Sequence, residues 1–238
     1  MNAIHNWNTW IGTDEAGKGD YFGPLVAAAV YVDAESQETF SDLGITDGKT
    51  LSTRRIRNLA ELIRCHNAQH VVVVGRMPAE YNSLYATLRR RGQNLNHLLA
   101  SLHAEAIRTL AASVGAKHAL VDKFAKDDLI TGQLAQRANN GPHLQRASVR
   151  AAPATLGIEI RQVTKAERDI AVAAASIIAR DAFLTGMDTL SEKYEIRLPR
   201  GAYQVIEAGR EFVALHGSKA LGNVAKLHFN LTDAVRAL

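Results

Sequence analysis

Residues 12–24, Gly-Thr-Asp-Glu-Ala-Gly-Lys-Gly-Asp-Tyr-Phe-Gly-Pro, set two adjacent carboxylates, Asp14 and Glu15, directly before a Gly17-Lys18-Gly19 turn. The flanks are apolar, Trp10-Ile11 upstream and Leu25 to Val32 downstream. An acidic, glycine-rich joint between two strand-like runs constrains the fold, because its charges stand at the end of a sheet that must be buried. Ions are costly there unless they are paired or bind something. Side chains of a regular strand alternate between faces, so Asp14 and Glu15 serve one site only if the strand distorts at its end. Gly17 and Gly19 permit such a distortion.

The rest of the chain alternates strand and helix signals without a long linker, repeat or low-complexity segment. Leu25 to Val32 reads as a strand. Ser52 to Arg64 reads as a helix capped by Ser52, with Ile56, Leu59, Leu62 and Ile63 on one face. Val71 to Val74 reads as a strand buried on both sides. Pro78 to Gly115 reads as helix broken near Gly92, its second part starting at Asn94 and carrying Leu98, Leu99, Leu102, Ala106 and Leu110. Ala119-Leu120-Val121 is a short strand ending on Asp122, a helix follows over about 126–139, and Gly157 to Val163 alternates as a strand. The remainder is largely helical. This order predicts an α/β fold with a central mixed sheet flanked by helices and a helical C-terminal part.

With 238 residues, 47% of them hydrophobic and 22% charged, residues 1–238 suit one large globular domain or two small ones. No apolar stretch is expected to approach the roughly 20 residues needed to cross a bilayer, and residues 1–7 lack the pattern of a secretory leader. The single cysteine, Cys65, excludes an internal disulfide framework and points to a reducing, cytoplasmic setting. A net charge of +4 and a pI near 9.3 permit a polyanionic partner. No heptad seam asks for a second copy, so a monomer is expected.

Two further acidic segments compete for the chemistry. Asp122 closes a strand, where α/β folds gather functional groups. Glu167 and Asp169 precede the alanine-rich run from Ile170 to Arg180; either favours a helix N-terminus, and the small side chains let that helix lie close to a sheet. The set Asp14, Glu15, Asp122 and Glu167 or Asp169 is all oxygen, with no histidine or cysteine at metal-ligand spacing, and such a set selects Mg²⁺ or Mn²⁺ over Zn²⁺. No G-x-S-x-G elbow and no Walker loop occurs. Carboxylate-held metal beside a Gly-Lys-Gly backbone points to phosphoryl transfer.

The run from Asp14 to Pro24 resembles the opening motif of the type 2 ribonucleases H, and most closely that of ribonuclease HIII. Asp47-Gly48-Lys49-Thr50-Leu51 is similar to the family's Asp-Ser-Lys-x-Leu element, with Gly48 where serine is usual. Further similar segments are Tyr81 to Tyr85, Asn94 to His103, Lys165 to Arg180 and Ala225 to Phe229, in order from about residue 10 to 230. The resemblance implies a ribonuclease H-like fold and one catalytic domain. Ribonuclease HIII proteins usually carry an additional N-terminal substrate-binding domain; here few residues precede the first strand, and the expectation is that the catalytic domain grips the substrate by itself.

The implied activity is endonucleolytic cleavage of the RNA strand of an RNA/DNA hybrid, leaving 5′-phosphate and 3′-hydroxyl ends. Asp14, Glu15, Asp122 and Glu167 would hold one or two Mg²⁺ or Mn²⁺ ions. Gly17, Lys18 and Gly19 would approach the ribose 2′-hydroxyl, with Lys18 and Lys49 on phosphates. The alternatives are a non-catalytic hybrid-binding protein and a ribonuclease HII-like cutter at single embedded ribonucleotides. Simpler roles are expected elsewhere: a basic, solvated helix end for Arg89-Arg90-Arg91, packing for His228 and a place in the core for Trp10.

Overall fold

A computed structural model of the chain describes residues 4–46, 51–66, 68–124, 128–135 and 157–237. Strands β1 (Trp10–Ala16), β2 (Leu25–Val32), β3 (Val71–Arg76), β4 (His118–Asp122) and β5 (Glu159–Val163) form one sheet in the order β3-β2-β1-β4-β5. β1 to β3 are joined antiparallel, whereas β4 runs parallel to β1 and β5 parallel to β4. This is the mixed sheet expected from the order of elements. The helices are α1 (Ala34–Asp42), α2 (Thr53–His66), α3 (Pro78–Arg90), α4 (Leu95–Val114), α5 (Leu129–Ala135), α6 (Ile170–Lys193), α7 (Ile206–His216) and α8 (Thr232–Arg236).

The period of two sorts the sheet residues onto its two faces. Val26, Ala28, Val30 and Val32 pack with α6 and α2, while Leu25, Ala27 and Ala29 pack with α4. Each large apolar side chain buried this way contributes roughly 1.5–3 kcal/mol. The alanines of β2 and of the first half of α6 keep both layers thin. At Gly12 the approach is closest, since a Cβ there would lie 2.2 Å from the carbonyl carbon of Ala171. The first turn of α6 is thereby seated against the middle of β1.

Local signals set the helix ends. Asn94 and His97 form a reciprocal capping box at the start of α4, and Gly115, at φ 69°, ends it. Ser52 accepts from the Arg55 N–H at the start of α2, as its sequence suggests. Asp169 accepts the N–H groups of Ala171 and Val172 at the start of α6. Of the helix expected over 126–139, Leu129–Ala135 is helical and the flanking positions lie outside the described residues.

Three differences from the sequence reading have physical causes. Val71–Val74 is not buried on both sides: β3 is an edge strand with Val73 exposed, and an unbroken valine run does not distinguish an edge from a centre. Leu62 is exposed rather than on the buried face of α2, which Ile56, Leu59, Ala60 and Ile63 form, because it stands at the edge of that helical stripe. α6 is long and apolar enough by composition to cross a bilayer, contrary to the expectation of no such stretch, but most of it is buried inside this fold. It is the core helix around which the α6 face of the sheet is assembled.

Candidate active site

The parallel pairing of β1 with β4 aligns Thr13 with Val121, so the next residues, Asp14 and Asp122, stand side by side at the carboxyl ends of neighbouring strands. Both follow positions on the α6 face, Trp10 on β1 and Leu120 on β4. Asp122 accepts the Ala166 N–H at 3.1 Å and so holds the short 3-10 turn Ala166–Arg168, which carries Glu167. Lys165, just before that turn, adopts the left-handed conformation at φ 58°. Such strain costs about 1–3 kcal/mol and persists where surrounding contacts impose it. Three chain segments therefore meet at one end of the sheet, bringing Asp14, Asp122 and Glu167 to the same region.

Glu15 departs on the other face. The expected distortion of β1 is absent: pairing with β2 continues through Ala16, and Glu15 turns toward α4. There His103, fully buried, bonds through Nε2 to Glu15 Oε2 at 3.1 Å and through Nδ1 to Thr13 Oγ1 at 3.0 Å. Phe124 stacks on the imidazole. Lys18 Nζ lies 3.6 Å from Glu15 Oε1. Burial pushes the Glu15 carboxyl up, but the His103 hydrogen bond and charge, together with the Lys18 ammonium, outweigh it and hold Glu15 below its ordinary value. It is thus kept as a carboxylate at neutral pH.

The two glycines of the turn differ in kind. Gly17 has φ +87°, and a Cβ would meet the Pro24 carbonyl oxygen at 2.1 Å, so the fold requires glycine there. Gly19 is exposed and a Cβ would meet nothing within 4 Å. Nothing in the packing asks for glycine at 19, which leaves open backbone available to a ligand. Lys49 and Gly48 lie outside the described residues. Among the described residues, no three His, Cys, Asp or Glu side chains are gathered closely enough to hold a metal ion.

The model of the ribonuclease HII family matches residues 11–232. The chain belongs to that family. Its relatives include ribonuclease HIII of Protochlamydia amoebophila, 38% identical over 94% of this chain and 67% of that protein, and ribonuclease HIII of Chlamydia muridarum, 39% identical over 96% and 70%. The crystal structure of Bst ribonuclease HIII in complex with Mn²⁺ superposes with a TM-score of 0.78 at 31% identity, over 96% of this chain and 69% of that one. The chain is accordingly a ribonuclease H-type hydrolase, and the fold expected from the motif is the fold observed.

Within that family fold, the structure gives further residues their surroundings. Asp169 is a buried cap: besides two backbone N–H groups it accepts Trp10 Nε1 at 2.9 Å and pairs with His5 at 3.0 Å. Trp10 is core, as expected. Arg89, Arg90 and Arg91 are exposed at the end of α3, where cations suit the helix dipole. His228 packs among Tyr81, Tyr85 and Phe229 and bonds to Tyr81 Oη at 3.1 Å. His103 and Lys226 were not assigned roles by sequence reasoning. The signal for His103 is a polar residue on the inward, leucine-rich stripe of α4.

Proposed function

We propose that this chain is an endoribonuclease that cleaves the RNA strand of RNA/DNA hybrids with a divalent metal ion, leaving 5′-phosphate and 3′-hydroxyl ends. The observation that carries the reading is Asp14 beside Asp122 at adjacent strand ends, with Asp122 holding the turn that presents Glu167. Asp14, Asp122 and Glu167 fit a hard cation such as Mg²⁺ or Mn²⁺ by their chemistry, Glu15 would join them by turning back from His103, and the Mn²⁺ complex of the Bst relative supports that choice. When bound, such ions activate water for in-line attack and stabilise the departing 3′ oxygen.

The chain's own groups do the rest. Thr13 and Phe124 fix the His103 ring, and His103 with Lys18 holds Glu15 ionised. The backbone of Gly17–Gly19 meets the ribose 2′-hydroxyl, the group by which RNA differs from DNA. Open space around Gly19 supports that role. Lys18 and Lys49 contact phosphates, and the net charge of +4 favours a polyanionic duplex.

The test is cleavage of two end-labelled duplexes, a full RNA/DNA hybrid and a DNA duplex with one embedded ribonucleotide, each with Mg²⁺, Mn²⁺ or EDTA. Metal-dependent cutting of the hybrid is expected. Cutting only at the lone ribonucleotide would move the substrate assignment, and retention of hybrid with no product under any metal would overturn the activity.

A further inference from the structure

The last irregular segment of the chain contains a lysine with no exposed surface. The Lys226 ammonium is held by three consecutive backbone carbonyls: Nζ donates to Gly23 at 2.7 Å, Phe22 at 3.2 Å and Pro24 at 3.5 Å. Taking a charge out of water is expensive, so a buried ammonium persists only where acceptors replace its hydration. Burial lowers Lys226 to about 7, opposed by the charge of Asp20. The Tyr81 ring, 6.0 Å from Nζ, closes another side.

Those carbonyls form the returning leg of the loop that carries Gly17–Gly19. The backbone binds the same leg: Lys226 N–H donates to Tyr21 O at 2.8 Å, Gly23 N–H donates to Val224 O at 2.9 Å, and Phe22 bridges Ala225. The Pro24 carbonyl is also the atom seated against Gly17, where a Cβ would come within 2.1 Å of it. Returning and departing legs therefore touch through the oxygen that Lys226 helps to hold. The lysine's segment is anchored in turn by Asn82 of α3. Its amide nitrogen donates to Gly222 and Ala225 carbonyls, and its oxygen accepts the Leu227 N–H.

We infer that Lys226 is a positioning residue for the substrate loop: by gathering the carbonyls of Phe22, Gly23 and Pro24 it fixes the conformation in which the Gly17–Gly19 backbone faces the ribose. The role in substrate selection rests on the function proposed above, whereas the effect on the loop does not. A methionine of similar length fills the space but leaves three acceptors unpaired, so the loop loosens without losing its packing.

The test is Lys226→Met, read by amide hydrogen exchange of residues 17–24 and by KM and kcat on an RNA/DNA hybrid. Exchange in the loop should quicken while the strands β1 and β4 keep their protection. KM should rise about tenfold, with kcat changed less than about threefold. Unchanged exchange in the loop overturns the inference. A wild-type protein that cuts no hybrid would instead sink the function reading and leave the exchange experiment to decide the latch. Should Lys226→Met fail to fold, Asn82→Ala loosens the same anchor from α3; faster loop exchange is expected, and wild-type exchange would refute the role.

Discussion

Gly12 lies in the middle of β1 under the first turn of α6, and alanine there tests how the site is assembled. The added Cβ would stand 2.2 Å from the Ala171 carbonyl carbon, 2.3 Å from the Val172 nitrogen and 2.6 Å from the Ala171 oxygen. Ordinary contact begins near 3.4 Å, so the nearest atom is 1.2 Å too close (3.4 minus 2.2). All three atoms are backbone of a capped helix, and no side-chain rotation relieves them. The whole first turn of α6 must lift. Overpacking of this kind costs about 3 kcal/mol, the upper part of the usual range, because rigid backbone has to move. For a chain of this size that lowers Tm by roughly 6–12 °C. The displacement also reaches the chemistry, since the lifted turn carries the Asp169 cap, two residues beyond Glu167. A misplacement near 1 Å can cost on the order of 100-fold in rate, so cleavage of a hybrid should fall at least as steeply as stability. Thermal melting and hybrid cleavage at a temperature well below both transitions check this. A Gly12→Ala protein melting within about 2 °C of wild type, where roughly 1 kcal/mol moves Tm by 2–4 °C, would refute the reasoning.

Gly19→Ala should melt like wild type, because nothing stands within 4 Å of the added Cβ, yet bind hybrid more weakly; unchanged hybrid affinity by fluorescence anisotropy would remove the turn from substrate contact. Asp14→Asn and Asp122→Asn should each abolish cleavage with folded circular dichroism spectra, and wild-type-like turnover in either would sink the assignment of the site. His228 is lowered to about 4 by burial and by the Lys226 charge, while it titrates near 6.5 when unfolded. The unfolded chain therefore binds the extra proton first, and this contribution to stability, complete above pH 6.5, fades as pH falls toward 4. His228→Gln should lose less Tm than wild type between pH 7 and 5, and an equal loss would contradict that origin.

The order of strands and helices was legible because apolar runs and helical stripes recur along the chain: the unbroken apolar β2 and the leucine-striped α4 declare their type without reference to partners. The acidic Gly-Lys-Gly joint was equally legible, since local chain chemistry confines carboxylates and glycines to such ends. Asp122 could be singled out from its place after an apolar triplet. What local pattern does not contain is the partner across the fold. The exposed edge position of β3, the seating of Gly12 under α6 and the regularity of β1 through Ala16, which leaves Asp14 and Glu15 on opposite faces, follow from sheet order and register, which no window of sequence specifies. His103 meets Thr13 across 90 positions and Lys226 meets Phe22 across 204. In sequence each is one polar residue among others of its segment, Ser101 and Glu105 beside His103 and His228 beside Lys226. Only once the chain has closed do buried donors and acceptors have to find one another, and that requirement, rather than any local propensity, assigns these two residues to the site and its loop.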